Sequence, residues 1–166
     1  MAISRELYAA ILSLDAYNRG YDPRISGLPD DPGTQIGDAT LTGAYSQADV
    51  SFFACTYAWD GHKVISFRGT DNTELLAASD IWTGWLTGGG FASAQARKAE
   101  QVYSEVTGRG VFNGIGQDVI LTGHSLGGGL AGYIAALSHN PAFIFDHMPY
   151  AAAASARWFG EKGLSL

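Results

Sequence analysis

Ser125 is the residue of this 166-residue chain with the clearest capacity for chemistry. It stands in the run Gly123-His124-Ser125-Leu126-Gly127-Gly128-Gly129, after the apolar stretch 119–121 and before a small-residue helical pattern over 130–137. That is strand, sharp turn and helix, with a serine on the turn. Gly123, Ser125 and Gly127 read as Gly-x-Ser-x-Gly, in which glycines two residues either side leave room for a strained backbone at the serine. The turn lifts the hydroxyl out of the sheet. It also sets the serine at the positive end of the following helix, where a developing oxyanion is stabilised. The chemistry predicted is nucleophilic acyl transfer, which requires an activated serine, a base and an oxyanion hole.

The backbone N–H of Leu126 directly follows the nucleophile at the helix start and is one oxyanion donor. A second donor is expected from a loop at an adjacent strand end. Phe67-Arg68-Gly69-Thr70 occupies such a position, and Thr70 offers both its backbone N–H and its hydroxyl. Taken alone, Thr70 also reads as a turn or helix N-cap residue. The base is harder to assign among His62, His124, His139 and His147. His139 lies 14 residues beyond Ser125, at the far end of the predicted helix and about 21 Å away, too far to take a proton. His62 falls at a hairpin turn, at the opposite end of its strand from Thr70. His124 neighbours the serine and points the other way if strand geometry persists. Asp146 and His147 follow a short strand and lie at the right edge of the sheet.

Several elements must bring these residues together. Ile3, Leu7, Ile11 and Leu14 recur at helical spacing and predict an amphipathic helix over 3–17, stopped by Asn18-Arg19-Gly20. Residues 20–37, with Pro23, Pro29 and Pro32, read as a surface loop. A short strand is predicted over 40–46. Residues 51–59 and 63–67, rich in aromatic and β-branched types, flank Asp60-Gly61, a strong hairpin signal. Helices are expected over 92–106, 126–138 and about 151–158, and strands over 118–122 and 142–145. Strand, helix, strand, helix, strand implies a parallel sheet with right-handed crossovers, whose function gathers at the C-terminal ends of the strands. Thr70, Ser125 and Asp146 all fall at those ends.

Composition narrows the partners. Hydrophobic residues make up 46% of the chain and charged ones 16%, a globular balance with enough length for one domain spanning 1–166. A net charge of -6 with no basic block argues against nucleic acid, and against an anionic membrane held by charge alone. The single cysteine, Cys55, cannot form an internal disulfide and is predicted to be a buried packing residue. No histidine–cysteine cluster has metal-ligand spacing, so neither metal nor cofactor is expected. No run of 18 apolar residues is present. The first six residues carry both charge signs and do not resemble a signal peptide, which favours the cytoplasm or non-classical export.

Phe67-Arg68-Gly69-Thr70 followed by Gly123-His124-Ser125-Leu126-Gly127-Gly128 resembles the class 3 lipase family over roughly residues 51–150. The resemblance implies an α/β-hydrolase fold, with a central mostly parallel sheet, an N-terminal antiparallel hairpin and flanking helices, and hydrolysis of acylglycerols, phospholipids or related carboxylic esters. It implies Ser125 as nucleophile, with Thr70 and Leu126 forming the oxyanion hole, and His124 as a packing residue. It also places a candidate lid at 73–90, where Leu75 to Leu86 carries Trp82 and Trp85, the triple glycine 88–90 offers a hinge, and transient contact with a lipid interface is expected. The other reading of that segment is a helix fixed on the sheet. In the family the acid and the histidine both follow the serine by a long interval, whereas 41 residues follow Ser125 here. The expectation is therefore an N-terminal part of a hydrolase, whose acid and base lie beyond residue 166 or on a partner chain, with Asp146 and His147 as the internal candidates. Two alternatives remain open: an esterase or thioesterase acting on soluble esters, and a hydrolase-like domain that binds without catalysis.

Overall fold

The computed structural model describes residues 3–19, 30–69, 91–113 and 118–163, and in them six strands form one mixed sheet in sequential order. The strands are β1 (Gln35–Ile36), β2 (Ala39–Gln47), β3 (Phe52–Trp59), β4 (His62–Phe67), β5 (Val119–His124) and β6 (Ala142–Phe145). The first four pair antiparallel, and β4, β5 and β6 run parallel, so the described sheet is mixed rather than mostly parallel as predicted: β1 and β2 extend the antiparallel hairpin outward. The β3–β4 hairpin is closed by Asp60 (φ 48°) and Gly61 (φ 76°), a pair of left-handed residues whose twist matches that of the flanking strands. Four helices are described: α1 (Arg5–Asp15), α2 (Phe91–Thr107), α3 (Leu126–Ser138) and α4 (Ala151–Glu161). The predicted strands and helices are present with their ends shifted by a few residues. The two-residue β1 lies inside the stretch predicted as loop.

Strand alternation divides the core in two. Phe52, Ala54, Ile65, Phe67, Val119 and Leu121 face the layer formed by α2, α3 and α4. Phe53, Cys55, Tyr57, Val64 and Ile120 face α1. Because β4→β5 and β5→β6 step in the same direction along the sheet, right-handed crossovers put α2 and α3 on the same face. Helix α3 is buried almost all round, held between the parallel strands on one side and α2 and α4 on the other.

Helix α1 covers the opposite face, but not with the residues whose spacing announces it. Its buried side is Tyr8, Ala9, Leu12, Ser13 and Asp15, with Ala16 just beyond, whereas Ile3, Leu7, Ile11 and Leu14 are all exposed. The physical reason is that small and polar groups seat this helix. The Leu12 carbonyl accepts from Ser66 Oγ at 3.0 Å, and the Ala9 carbonyl from Thr122 Oγ1 at 3.2 Å. Tyr8 stacks on Trp59 with ring centroids 4.5 Å apart; its hydroxyl donates to the Ile36 carbonyl and accepts from the Ala39 N–H. Asp15 Oδ2 receives Arg19 Nη2 at 2.8 Å and the Tyr57 hydroxyl at 2.7 Å, all within the core. Cys55 is buried as predicted.

Candidate active site

Strand β5 ends on Gly123-His124, and Ser125 forms the turn into α3. Its backbone stands at φ 56°, ψ −126°, a region that a non-glycine residue occupies only when its surroundings enforce it. Three hydrogen bonds do so. The Ser125 N–H donates to the Phe145 carbonyl at 3.0 Å, and its own carbonyl accepts from Gly129 N–H at 3.0 Å and Met148 N–H at 3.1 Å. The side chain does not cap the helix it heads, so its hydroxyl is not spent on a helix N–H. Close approach of backbones explains the glycines. A Cβ on Gly127 would lie 2.7 Å from the Phe67 carbonyl carbon, which packs the first turn of α3 directly on the end of β4. Leu126, the first residue of α3, carries one of the N–H groups that a helix start leaves without an intrahelical acceptor.

The loop after β4 lies against this turn. A Cβ on Gly69 would be 3.2 Å from Ser125 Cβ and 2.8 Å from the His124 carbonyl oxygen. Arg68 N–H donates to the Phe53 carbonyl at 3.0 Å, and its guanidinium lies 4.7 Å from the Phe53 ring centre. Thr70 and the candidate lid at 73–90 lie outside the described residues, so the described part of the loop ends one residue before the predicted second donor.

Tyr17, two residues past the end of α1, ties the two halves together. Its hydroxyl accepts from the Gly69 N–H at 3.1 Å, and lies 3.3 Å from His124 Nδ1 and 3.3 Å from the His124 carbonyl oxygen. Sequence reasoning passed over this residue. No motif surrounds it, and its partners lie 52 and 107 positions away.

The remaining residues singled out by the sequence are spread more widely. His124 projects from the end of β5, edge-on to Tyr17, and is about half exposed. Asp146, at φ 43° just past β6, sets Oδ2 4.0 Å from His124 Nε2 and is almost fully exposed. His147 packs against Tyr150, with Nδ1 3.1 Å from the Met148 carbonyl oxygen. His139 caps the far end of α3, and His62 opens β4 at the hairpin. The geometry thus gathers Ser125, Leu126, Gly69, Tyr17, His124 and Asp146 at one edge of the sheet. It leaves His62 and His139 away from that edge. Among the described residues no group of three or more histidine, cysteine, aspartate or glutamate side chains could hold a metal ion. No described helix is long and apolar enough to cross a membrane.

Comparison with known proteins gives this edge a context. Among solved structures, the fold is similar to that of the lipase from Rhizopus microsporus var. chinensis, with a TM-score of 0.56 and 17% identity. The alignment covers 97% of this chain and 63% of that one, so the chain spans less than two thirds of that lipase's length. The native Rhizomucor miehei lipase propeptide complex aligns at a TM-score of 0.46 and 17% identity, covering 98% of this chain and 60% of that one. No curated protein matches the sequence. At such identity the likeness speaks for the α/β fold. Residues 8–153, from within α1 to the first turn of α4, match the phospholipase-like family described as the Tle-like phospholipase domain. The chain therefore belongs to the Tle-like phospholipase domain family.

Proposed function

We propose that this domain hydrolyses carboxylic esters of lipids, as a lipase or phospholipase, with Ser125 as the nucleophile. The observation that carries the proposal is the strained turn at Ser125, held by three backbone hydrogen bonds while its hydroxyl is left out of helix capping. Ser125 Oγ attacks the ester carbonyl carbon and gives up its proton to a base. The carbonyl oxygen takes the negative charge and is met by the Leu126 N–H, at the positive end of α3, and by Thr70. Collapse of this intermediate expels the alcohol with a proton and leaves an acyl-serine, which water then cleaves to the free acid. Tyr17 is the positioning residue: its hydroxyl braces Gly69, next to Thr70, against the end of β5. The proposal assigns the base and its carboxylate partner to polypeptide beyond residue 166. This is in keeping with a His147 ring turned onto Tyr150.

The test is active-site labelling with a fluorophosphonate on the protein that carries this domain at its natural length. The probe is expected to modify Ser125, located by peptide mass, and to leave the Ser125→Ala variant untouched. An unlabelled wild-type protein would instead favour a hydrolase-like binding domain. The 166 residues alone, at confirmed intact mass, are expected to hydrolyse p-nitrophenyl esters about 10⁶-fold more slowly, since loss of the base leaves only oxyanion stabilisation and binding. Full activity from that chain would move the base to His147 and the acid to Asp146.

A further inference from the structure

Among the described residues five large apolar side chains are exposed, and four of them belong to one short stretch: Ile3 (51%), Leu7 (54%), Ile11 (37%) and Leu14 (63%). On α1, the last three fall within an arc of about 60° at 100° per residue, so they form one stripe rather than scattered positions. The stripe is asymmetric in charge. Arg5 and Glu6 are exposed in the first turn, with Arg5 bonded to Asp60 at 3.1 Å. From Leu7 to the end of the helix no charge is exposed, because Asp15 is buried and paired with Arg19. The uncharged end is also the end nearest the candidate active site. Leu14 shares a turn with Tyr17, whose N–H donates to the Leu14 carbonyl at 3.0 Å and whose hydroxyl braces Gly69 beside Ser125.

We propose that this stripe on α1 is the seat by which the domain rests on an electrically neutral lipid surface, such as a phosphatidylcholine bilayer. The inference rests on the lipid-ester reading given above and adds a place where the lipid is held. Three observations select this occupant over others. The stripe ends beside the elbow, so a surface lying on Leu14 is within one helical turn of Tyr17, whose hydroxyl meets the Gly69 N–H of the loop against the serine. Four partly exposed aliphatic side chains offer a few hundred Å², less than the roughly 800 Å² per partner of a stable protein interface, but ample for a helix lying in a headgroup boundary. The absence of exposed charge on its site-proximal half, in a chain of net charge -6, removes any pull toward anionic headgroups.

The experiment is co-flotation with phosphatidylcholine vesicles of the wild type and of the double variant Ile11→Gln/Leu14→Gln, with fluorophosphonate labelling and light-scattering mass measured on the same preparations. Both side chains are exposed, so the variant is expected to fold and to label as the wild type does. Its vesicle partition coefficient should fall about tenfold or more, and adding phosphatidylglycerol should not raise wild-type binding. As a second probe, Leu14→Cys carrying an environment-sensitive dye should shift its emission to the blue on vesicles; buried Cys55 does not take the label. Equal flotation of wild type and double variant would overturn the proposal. So would binding that needs anionic lipid, or a wild-type dimer that the double variant converts to monomer. Stripe-dependent flotation without fluorophosphonate labelling would leave the lipid seat standing and remove the serine reading instead.

Discussion

At the scale of single residues, the site is held by backbone groups more than by side chains. Ser125 keeps its unusual turn because β6 and the loop after it supply an acceptor and a donor to its peptide groups. Tyr17 is the exception, a side chain that serves two loops at once. Replacing it, Tyr17→Phe, removes the acceptor of the buried Gly69 N–H and the contact with His124. The expected cost is about 1–3 kcal/mol of stability, read from urea denaturation, together with slower fluorophosphonate labelling of Ser125. Unchanged labelling with lowered stability would make Tyr17 a structural residue only. The strand–turn–helix at Ser125 was legible in the sequence because the glycines around it have a steric purpose that leaves a fixed spacing. Tyr17 was not, since nothing in its neighbours encodes contacts with a strand more than a hundred residues on.

At the scale of elements, α1 illustrates why periodicity identifies a helix more securely than it orients one. The strongest aliphatic rhythm lies on the exposed side, while the seated side is a mixture of Tyr8, Ala9, Leu12, Ser13 and Asp15. Small residues let the helix approach the sheet, and polar ones meet partners on strands that the local pattern cannot foresee. The anchor at its C-terminal end is the buried pair of Asp15 with Arg19, closed by the Tyr57 hydroxyl. Asp15→Ala leaves a guanidinium in the core without this carboxylate and is expected to destabilise the domain by about 3–5 kcal/mol, measured by thermal or urea unfolding. A loss below about 1 kcal/mol would mean that Arg19 finds equivalent compensation. Strands β3 and β4 were the easiest elements to find. They are covered on both faces and so read as nearly continuous apolar runs joined by a turn dipeptide. The two residues of β1 carry no pattern long enough to read.

At the scale of the whole molecule, the sheet separates two cores, and the one under α1 contains groups that resist ionisation. Burial pushes the Cys55 thiol from 9.0 up to about 12 and pushes the Tyr57 hydroxyl upward as well. The unfolded chain gives up these protons at lower pH than the folded one, so their contribution is fully present below about pH 9. It is lost as the pH rises from about 9 toward 12. Unfolding free energy should decline over that window, and Cys55→Ala should remove part of the slope; a profile that stays flat to pH 12 would contradict this. The same burial predicts that iodoacetamide modifies Cys55 only after unfolding. The parallel order β4-β5-β6 and the gathering of strand ends at one edge were both readable in advance, because strand–helix alternation permits few other topologies. The identity of the base was not, because none of the four histidines stands in a spacing that ties it to Ser125.

The hydrogen bonds that hold Ser125 also set an order in time. Two of the three come from Phe145 and Met148, which leave the ribosome some twenty residues after the serine. A nascent chain ending at the glycine run has the residues of the motif but, of the three bonds, only that from the Gly129 N–H. The turn is installed only when β6 docks beside β5, a pairing that closes across the whole of α3. The full set of bonds that presents the hydroxyl thus requires β6 beside β5.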